Sequence, residues 1–314
     1  MILRQGAINA AGSAYSAWKT VQTVSPRAIE EEAELGFKLA LIGTPEHRAA
    51  LRESLLTASA TVAEREDADA YLREYDEGPE PDAAAGFAFL LYTAGPNEPL
   101  GVRGPNSVPL VGTLSEVAPK MLELRPKLTV ALGRRLPLFR VPACEALIRS
   151  ASRANATIAL ISALPGVLPW TSVILPVSSI ADVLLLTKNQ LVLVMRLAAT
   201  YGQKPGYVKQ AKELLGTVGS ALGWRMVARE LVGFVPAGIG AALKATIAYS
   251  GTVAVGRAAE WFYRTGKKPT AEQIQDFNRE GEAEAKEEVN AIRQGTTPTS
   301  ASPDAPPTDA ASPD

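Results

Sequence analysis

The sequence predicts an α/β domain followed by an all-α domain: a small α/β unit, then an apolar helical hairpin or bundle, then a disordered tail. Three observations carry this. The apolar run Phe37-Lys-Leu-Ala-Leu-Ile42, bounded by glycines, leads through a turn into a helix-forming stretch, the strand–turn–helix order of α/β proteins. From Ala154 to Ala181 there are 28 residues without a charge, against the roughly 20 that a membrane-spanning helix needs. Gly295 to Asp314 is built from small residues, Pro, Ser, Thr and Asp, and cannot bury enough surface to order itself.

Composition narrows the function classes. The 314 residues carry 32 basic and 33 acidic side chains, a net charge of −1. That excludes a general electrostatic case for nucleic acid, so no nucleic-acid partner is expected. Cys144 is the single cysteine and His47 the single histidine. This excludes an intrachain disulfide framework, the usual zinc ligand sets and any two-histidine catalysis. No catalytic residue, metal or cofactor is expected. Mean hydropathy is +0.04 despite the polar tail, so the rest of the chain is richer in apolar residues than the average suggests.

The elements follow in order. Residues 1–35 read as N-terminal helices. Ala7 to Val24, with Tyr15 and Trp18, has a weak amphipathic pattern, and no apolar signal region precedes it. A second helix starts at Ser25-Pro26, has Glu30, Glu31, Glu32 and Glu34 near its start, and ends at Gly36. Residues 36–140 read as the α/β domain. Strands are expected at Phe37–Ile42, Gly86–Tyr92 and Ser107–Val111, with a further one at Lys127–Leu132 and a helix from His47 to about Val62. Glu64 to Asp82, with nine acidic residues, reads as a solvated helix and loop.

The order of this domain is GTPase-like, but its chemistry is degenerate. A P-loop opening at Gly43 would place Gly, Lys and Ser/Thr at positions 48, 49 and 50, where the chain has Arg48, Ala49 and Ala50. The Lys that reaches the phosphates and the hydroxyl that ligates Mg²⁺ are both missing. A base-reading Asn-Lys-x-Asp is also missing after Val111, where Gly112-Thr-Leu-Ser115 stands. Gly43, His47 and Arg48 are left as the only candidates for an unorthodox anion site at a helix N-terminus. GTP binding is therefore doubtful.

Residues 141–265 form the apolar helical domain. Helices are expected from Pro142 to about Leu164 and from about Ser178 to Thr200, joined by a turn at Pro165, Gly166 and Pro169. Glu145 and Arg149 are spaced as an i, i+4 pair, and Arg153 continues their face. Cys144 reads as a small buried residue. Asp182, Asn189 and Arg196 recur every seven residues, one stripe on an otherwise apolar helix, flanked by Lys188 and Gln190. Such a stripe must face partners or water; Asn155 and Lys244 are candidate partners, with an Lys244–Asp182 pair in particular. It is either a structural network that sets helix register or, in lipid, a functional site. A last apolar segment spans Leu231 to Gly256, with Ala241, Ala245, Ala248 and Thr252 as a close-packing face. Thr270-Ala-Glu-Gln273 is a capping box opening a charged helix over residues 266–293, and residues 294–314 are the disordered tail.

Several short motifs carry a family resemblance: Asn155-Ala-Thr-Ile-Ala-Leu-Ile-Ser-Ala-Leu-Pro165, Ala181-Asp-Val-Leu-Leu-Leu-Thr-Lys-Asn-Gln190, Arg196-Leu-Ala-Ala-Thr-Tyr-Gly202, Lys244-Ala-Thr-Ile-Ala-Tyr-Ser-Gly-Thr252 and Gly256-Arg-Ala-Ala259. Over residues 140 to 265 the chain resembles the bacterial family known as domain of unknown function 697. The resemblance implies a pseudo-GTPase joined to a membrane-associated helical hairpin, because members are often fused to GTPase-like domains and many are expected in membranes. The leading expectation is thus a non-catalytic, membrane-associated scaffold or regulator on the cytoplasmic side of the bacterial inner membrane, with a membrane, a membrane protein or a second copy as partner. The alternatives are a cytoplasmic, soluble helical interaction protein, and a nucleotide-binding GTPase-like protein with an unorthodox phosphate site.

Overall fold

A computed structural model describes residues 25–58, 60–93, 106–110, 112–162, 177–206 and 240–294; the side chains of Pro81 and of residues 177–184 lie outside that description. Helix α1 (Pro26–Ala33) opens as expected: Ser25 caps it, its hydroxyl accepting from the Ala28 N–H, and Pro26 occupies the first turn. Strand β1 (Leu39–Ile42) is buried at every position, as a central strand covered on both faces must be. Helices α2 (Pro45–Leu56) and α3 (Val62–Ala68) lead to β2 (Leu72–Tyr75), and α4 (Pro81–Ala84) leads to β3 (Phe89–Thr93). Strand β4 (Ser107–Leu110) completes a parallel sheet of order β2-β1-β3-β4.

Alternation sorts this sheet into two faces. Leu39, Leu41, Phe89, Leu91, Val108 and Leu110 point toward Leu51, Leu55 and Leu56 of α2. Ala40, Ile42, Leu90 and Tyr92 point the other way, toward Phe87 and Ala84. The order in which strands are added reverses at β1. β2 is reached over the first face and β3 over the second, as right-handed crossovers require. The carboxyl ends of β1 and β3 therefore flank a topological switch point, where open α/β sheets bind ligands.

Three sequence expectations are corrected here. The acidic stretch holds a strand, β2, whose outward Arg73 and Glu74 disguise it; it is an edge strand paired with β1 on one side. Lys127–Leu132 is not a strand. Pro126 opens a 3₁₀ turn, Pro126–Leu128, that runs into helix α6 (Thr129–Arg135), after α5 (Leu114–Leu124). The helix expected from His47 to Val62 is also two: α2 stops at Thr57, which takes a left-handed φ of 57°, and Thr61 caps α3 with a full capping box to Glu64.

The second half is helical. A 3₁₀ turn, Pro137–Phe139, feeds α7 (Arg140–Ser162); α8 (Val177–Thr200), α9 (Ala241–Thr265) and α10 (Ala271–Arg293) follow. The expected Thr270–Gln273 capping box starts α10 with both reciprocal hydrogen bonds. Helix α9 is the hub, packed against α7, α8 and α10, and is buried on all sides from Ala248 to Gly256. Small residues permit this. A Cβ on Gly256 would lie 2.6 Å from Ile148, and one on Gly281 would lie 3.0 Å from the Ser250 backbone.

The membrane expectation is overturned. Among the described residues, no helix is long and apolar enough to cross a membrane. The reason is in the spacing of charges: Arg140, Glu145, Arg149 and Arg153 divide α7, Lys188 and Arg196 divide α8, and Arg257, Glu260 and Arg264 divide α9. Arg153 and Arg196 are used in ion pairs within the protein, and the apolar faces close on one another in a core that includes Ile29, Leu147, Val194, Tyr249 and Val289. The segments 163–176 and 207–239, the amphipathic stretch before Val24 and the tail beyond Gln294 lie outside the described residues.

The two halves share structure. Val130 of α6 enters the helical core while Ala131 and Leu132 enter the sheet core, as does Ala143 of α7. A Cβ on Gly133 would meet Thr200 of α8 at 2.5 Å.

Candidate functional site

The switch point is built from β1, the turn after it and the start of α2. Gly43 takes a φ of +132°, a conformation for glycine, and Thr44 caps α2, its hydroxyl accepting from the His47 N–H at 3.4 Å. Two further features decide what this loop can bind. Glu46 lies in the first turn of α2, and its carboxyl is held below the usual range by hydrogen bonds from its own backbone N–H and from Thr44. The positive end of the helix already faces a carboxylate. Arg48 donates to the Gly43 carbonyl at 2.7 Å and to Glu74 at 3.2 Å, and also pairs with Asp76. Its guanidinium is committed to two acidic side chains from the end of β2, and its charge is raised in stability first by Asp76. His47 is exposed. Where a phosphate would sit, the chain presents Glu46, Glu74 and Asp76.

The second arrangement is a polar ladder across three helices. Asn189 of α8 donates to the Asn155 side-chain oxygen at 2.8 Å. The Asn155 amide nitrogen donates to Thr252 of α9 at 2.8 Å, and the Thr252 hydroxyl donates to the Ala248 carbonyl at 2.8 Å. Asn155 and Thr252 are fully buried. Each group in the middle of the ladder therefore has a partner, as buried polar groups require. One turn earlier on α7, Ser152 is fully buried, and its hydroxyl has no hydrogen-bond partner among the described residues.

No family model matches the chain, and neither a curated protein nor a solved structure matches it.

The ladder and the switch point account for the sequence-derived residues as follows. Asn189 and Asn155 come together. Arg196, one heptad further, instead reaches Glu32 of α1 at 2.8 Å. Lys188 and Gln190 are half-exposed beside Asn189. Lys244 donates to Ser162 at 3.0 Å; the side chain of Asp182, and with it the proposed pair, lies outside the described residues. Gly43 and Arg48 are in direct contact, but through the Gly43 carbonyl, which accepts a hydrogen bond from Arg48. Cys144 is buried, and burial together with Glu260 and Glu145 pushes its thiol up, so it stays protonated and unreactive.

Sequence reasoning missed the acidic partners. Arg153 forms a two-bond pair with Glu288 of α10, both at 2.7 Å. Arg257 lies between Glu280 and Glu284, at 3.3 and 2.8 Å. The signal was present: Glu280, Glu284 and Glu288 recur every four residues beside Gly281, Ala285 and Val289, so α10 shows its core one stripe of small residues and one of carboxylates. At the junction of the halves, Arg140 pairs with Glu64 and lies 5.9 Å from the Tyr201 ring, and the Tyr201 hydroxyl donates to Glu260 at 2.9 Å. Burial first, then Cys144 and Glu260, pushes the Tyr201 phenol above its usual range, which keeps it a donor.

Glu64 gives this junction a pH dependence. Burial opposes its ionisation, but hydrogen bonds from Arg140 and the Thr61 backbone outweigh burial and hold the carboxyl below its usual range. A carboxylate with a depressed native pKa adds stability that is complete above its unfolded value and is lost as pH falls through the native one. The loss should begin near the ordinary glutamate value of about 4.3 and grow below it. Glu64→Gln should therefore shrink the drop in melting temperature between pH 7 and about pH 3; an unchanged drop would remove Glu64 from the account.

Proposed function

We propose that this chain is a non-catalytic interaction protein in which a doubly wound, GTPase-derived α/β domain without nucleotide chemistry is built onto a helical bundle. One observation carries the reading: the helix start where a phosphate would be held already carries the Glu46 carboxylate, hydrogen-bonded to its own backbone N–H and to Thr44, and its arginine is bound to Glu74 and Asp76. Like charge at that spot disfavours a triphosphate whatever the backbone geometry. The absent Lys and Ser/Thr at positions 49 and 50 support the same conclusion. Kinship with family 697 belongs to this proposal. What supports it is that the resembling motifs fall on α7, α8 and α9 and contain Asn155, Asn189 and Thr252, the three rungs of the ladder.

The test is titration of fluorescent GTP and ATP analogues, with Mg²⁺, into the full-length protein. No saturable binding is expected up to about 1 mM, a limit of roughly −4 kcal/mol. Saturation in the micromolar range would overturn the proposal and favour the unorthodox phosphate site. The double variant Glu46→Gln, Asp76→Asn should raise whatever residual nucleotide affinity exists, because it removes two of the three negative charges at the turn.

A further inference from the structure

Helix α1 is short, and its seat is basic. Of its eight residues, Ile29 and Ala33 are the buried apolar anchors, few for the chain entropy that ordering it removes. Its carboxylates make up the difference. Glu32 meets Arg196 of α8 at 2.8 Å, with both side chains four-fifths buried. Glu34 meets Arg134 of α6 at 3.0 Å and also pairs with Arg135. Glu30 lies 3.9 Å from Lys204, just beyond α8. Four cations, from α6, α8 and the residues just after α8, thus meet carboxylates on both flanks of the buried Ile29–Ala33 stripe, and Ile29 enters the same helical core as Val130. Arg135 is further anchored by Asp67 at 2.8 Å and by the Tyr71 ring, so the seat is held in place from the α/β side as well.

We propose that the groove between α6 and α8 is a receptor for a short acidic amphipathic helix, and that α1 is its built-in occupant. The partner it fits is a helix of another protein with an aliphatic residue followed by carboxylates one, three and five positions later and a small residue four positions later, the pattern of Ile29, Glu30, Glu32, Glu34 and Ala33. Charge complementarity selects this partner, since the same groove repels a basic helix. In the isolated chain α1 competes from a high effective concentration, so the groove opens to a partner only when α1 yields. This inference concerns the bundle side and is independent of the nucleotide reading.

The probe is a fluorescein-labelled peptide of residues 25–36, followed by anisotropy on the full-length protein. The wild type should bind it weakly. Ile29→Asp, which weakens the internal occupant, should bind it about tenfold more tightly, because a larger fraction of grooves is vacant. Raising salt from about 50 to about 500 mM should weaken that binding several-fold. Arg196→Glu in the same background should abolish it, and a peptide carrying Glu32→Lys should restore it. If Ile29→Asp fails to fold, Glu32→Lys with Glu34→Lys replaces it. Absence of peptide binding to a folded, α1-weakened variant would overturn the proposal, as would binding indifferent to Arg196→Glu. So would hydrogen exchange in which α1 opens only together with α9 at every salt concentration.

Discussion

Gly281→Val should cost about 3 kcal/mol of folding stability, at the upper end of what overpacking does in a well-filled core. A Cβ at this position would stand 2.9 Å from the Val253 side chain, 3.0 Å from the Ser250 Cα and 3.0 Å from the Ser250 carbonyl oxygen. Two of these three obstacles are backbone of α9, which cannot rotate away, so α10 must lift. Lifting it breaks the Arg153–Glu288 and Arg257–Glu284 pairs together and leaves both arginines half-buried. The cost is read from urea denaturation. Hydrogen exchange should show α10 amides losing protection more than those of α7. Gly256→Ala makes the useful contrast. The three atoms nearest its Cβ are all of the Ile148 side chain, at 2.6–3.2 Å; the obstacle is a stiff β-branched side chain and not backbone, and the substitution gains helix propensity worth up to about 1 kcal/mol over glycine, so its cost should fall below that of Gly281→Val. A Gly281→Val variant as stable as wild type would mean that α10 does not sit where its carboxylates place it.

Asn155→Leu should cost about 2 kcal/mol, the penalty of leaving buried polar groups without partners. The change keeps volume roughly constant but removes the acceptor for Asn189 and the donor to Thr252. Thr252 keeps its bond to the Ala248 carbonyl, so the loss concentrates on Asn189. Making the ladder apolar throughout, with Asn155→Leu, Asn189→Leu and Thr252→Val, should recover much of that loss, because no orphaned group remains. If the triple variant is as stable as the wild type but its helices exchange amides faster, the ladder sets register rather than strength. If the single variant costs nothing, the ladder is not closed in solution.

What could be read from the sequence was local. The run Leu39-Ala-Leu-Ile42 had to be a strand, the Ser25-Pro26 and Thr270–Gln273 patterns had to start helices, and each does so. What could not be read was pairing at a distance. Arg48 finds Glu74 and Asp76 across 26 and 28 residues, and Arg153 finds Glu288 across 135. Local pattern offered Arg153 a place on the Glu145–Arg149 face and gave no sign of α10. The strand Leu72–Tyr75 escaped for a related reason. An edge strand shows its charges, and Arg73 and Glu74 sit in a run already rich in acid. The uncharged run from Ala154 to Ala181 suggested lipid, and the carboxylates that Arg153 and Arg196 meet lie far off in sequence, on α10 and α1.

Helix α6 has a bearing on how such a protein can be divided. Seven residues long, it gives one face to the sheet core and the other to the bundle core. Modules strung on a tether can be shuffled, duplicated or trimmed without injury to their neighbours. Here a cut just before α6 would take the wall from the sheet, and a cut just after it would take the floor from the bundle. Neither half is a transferable part: a substitution on α6 is felt in both cores at once, and either half expressed alone would expose the face that α6 covers.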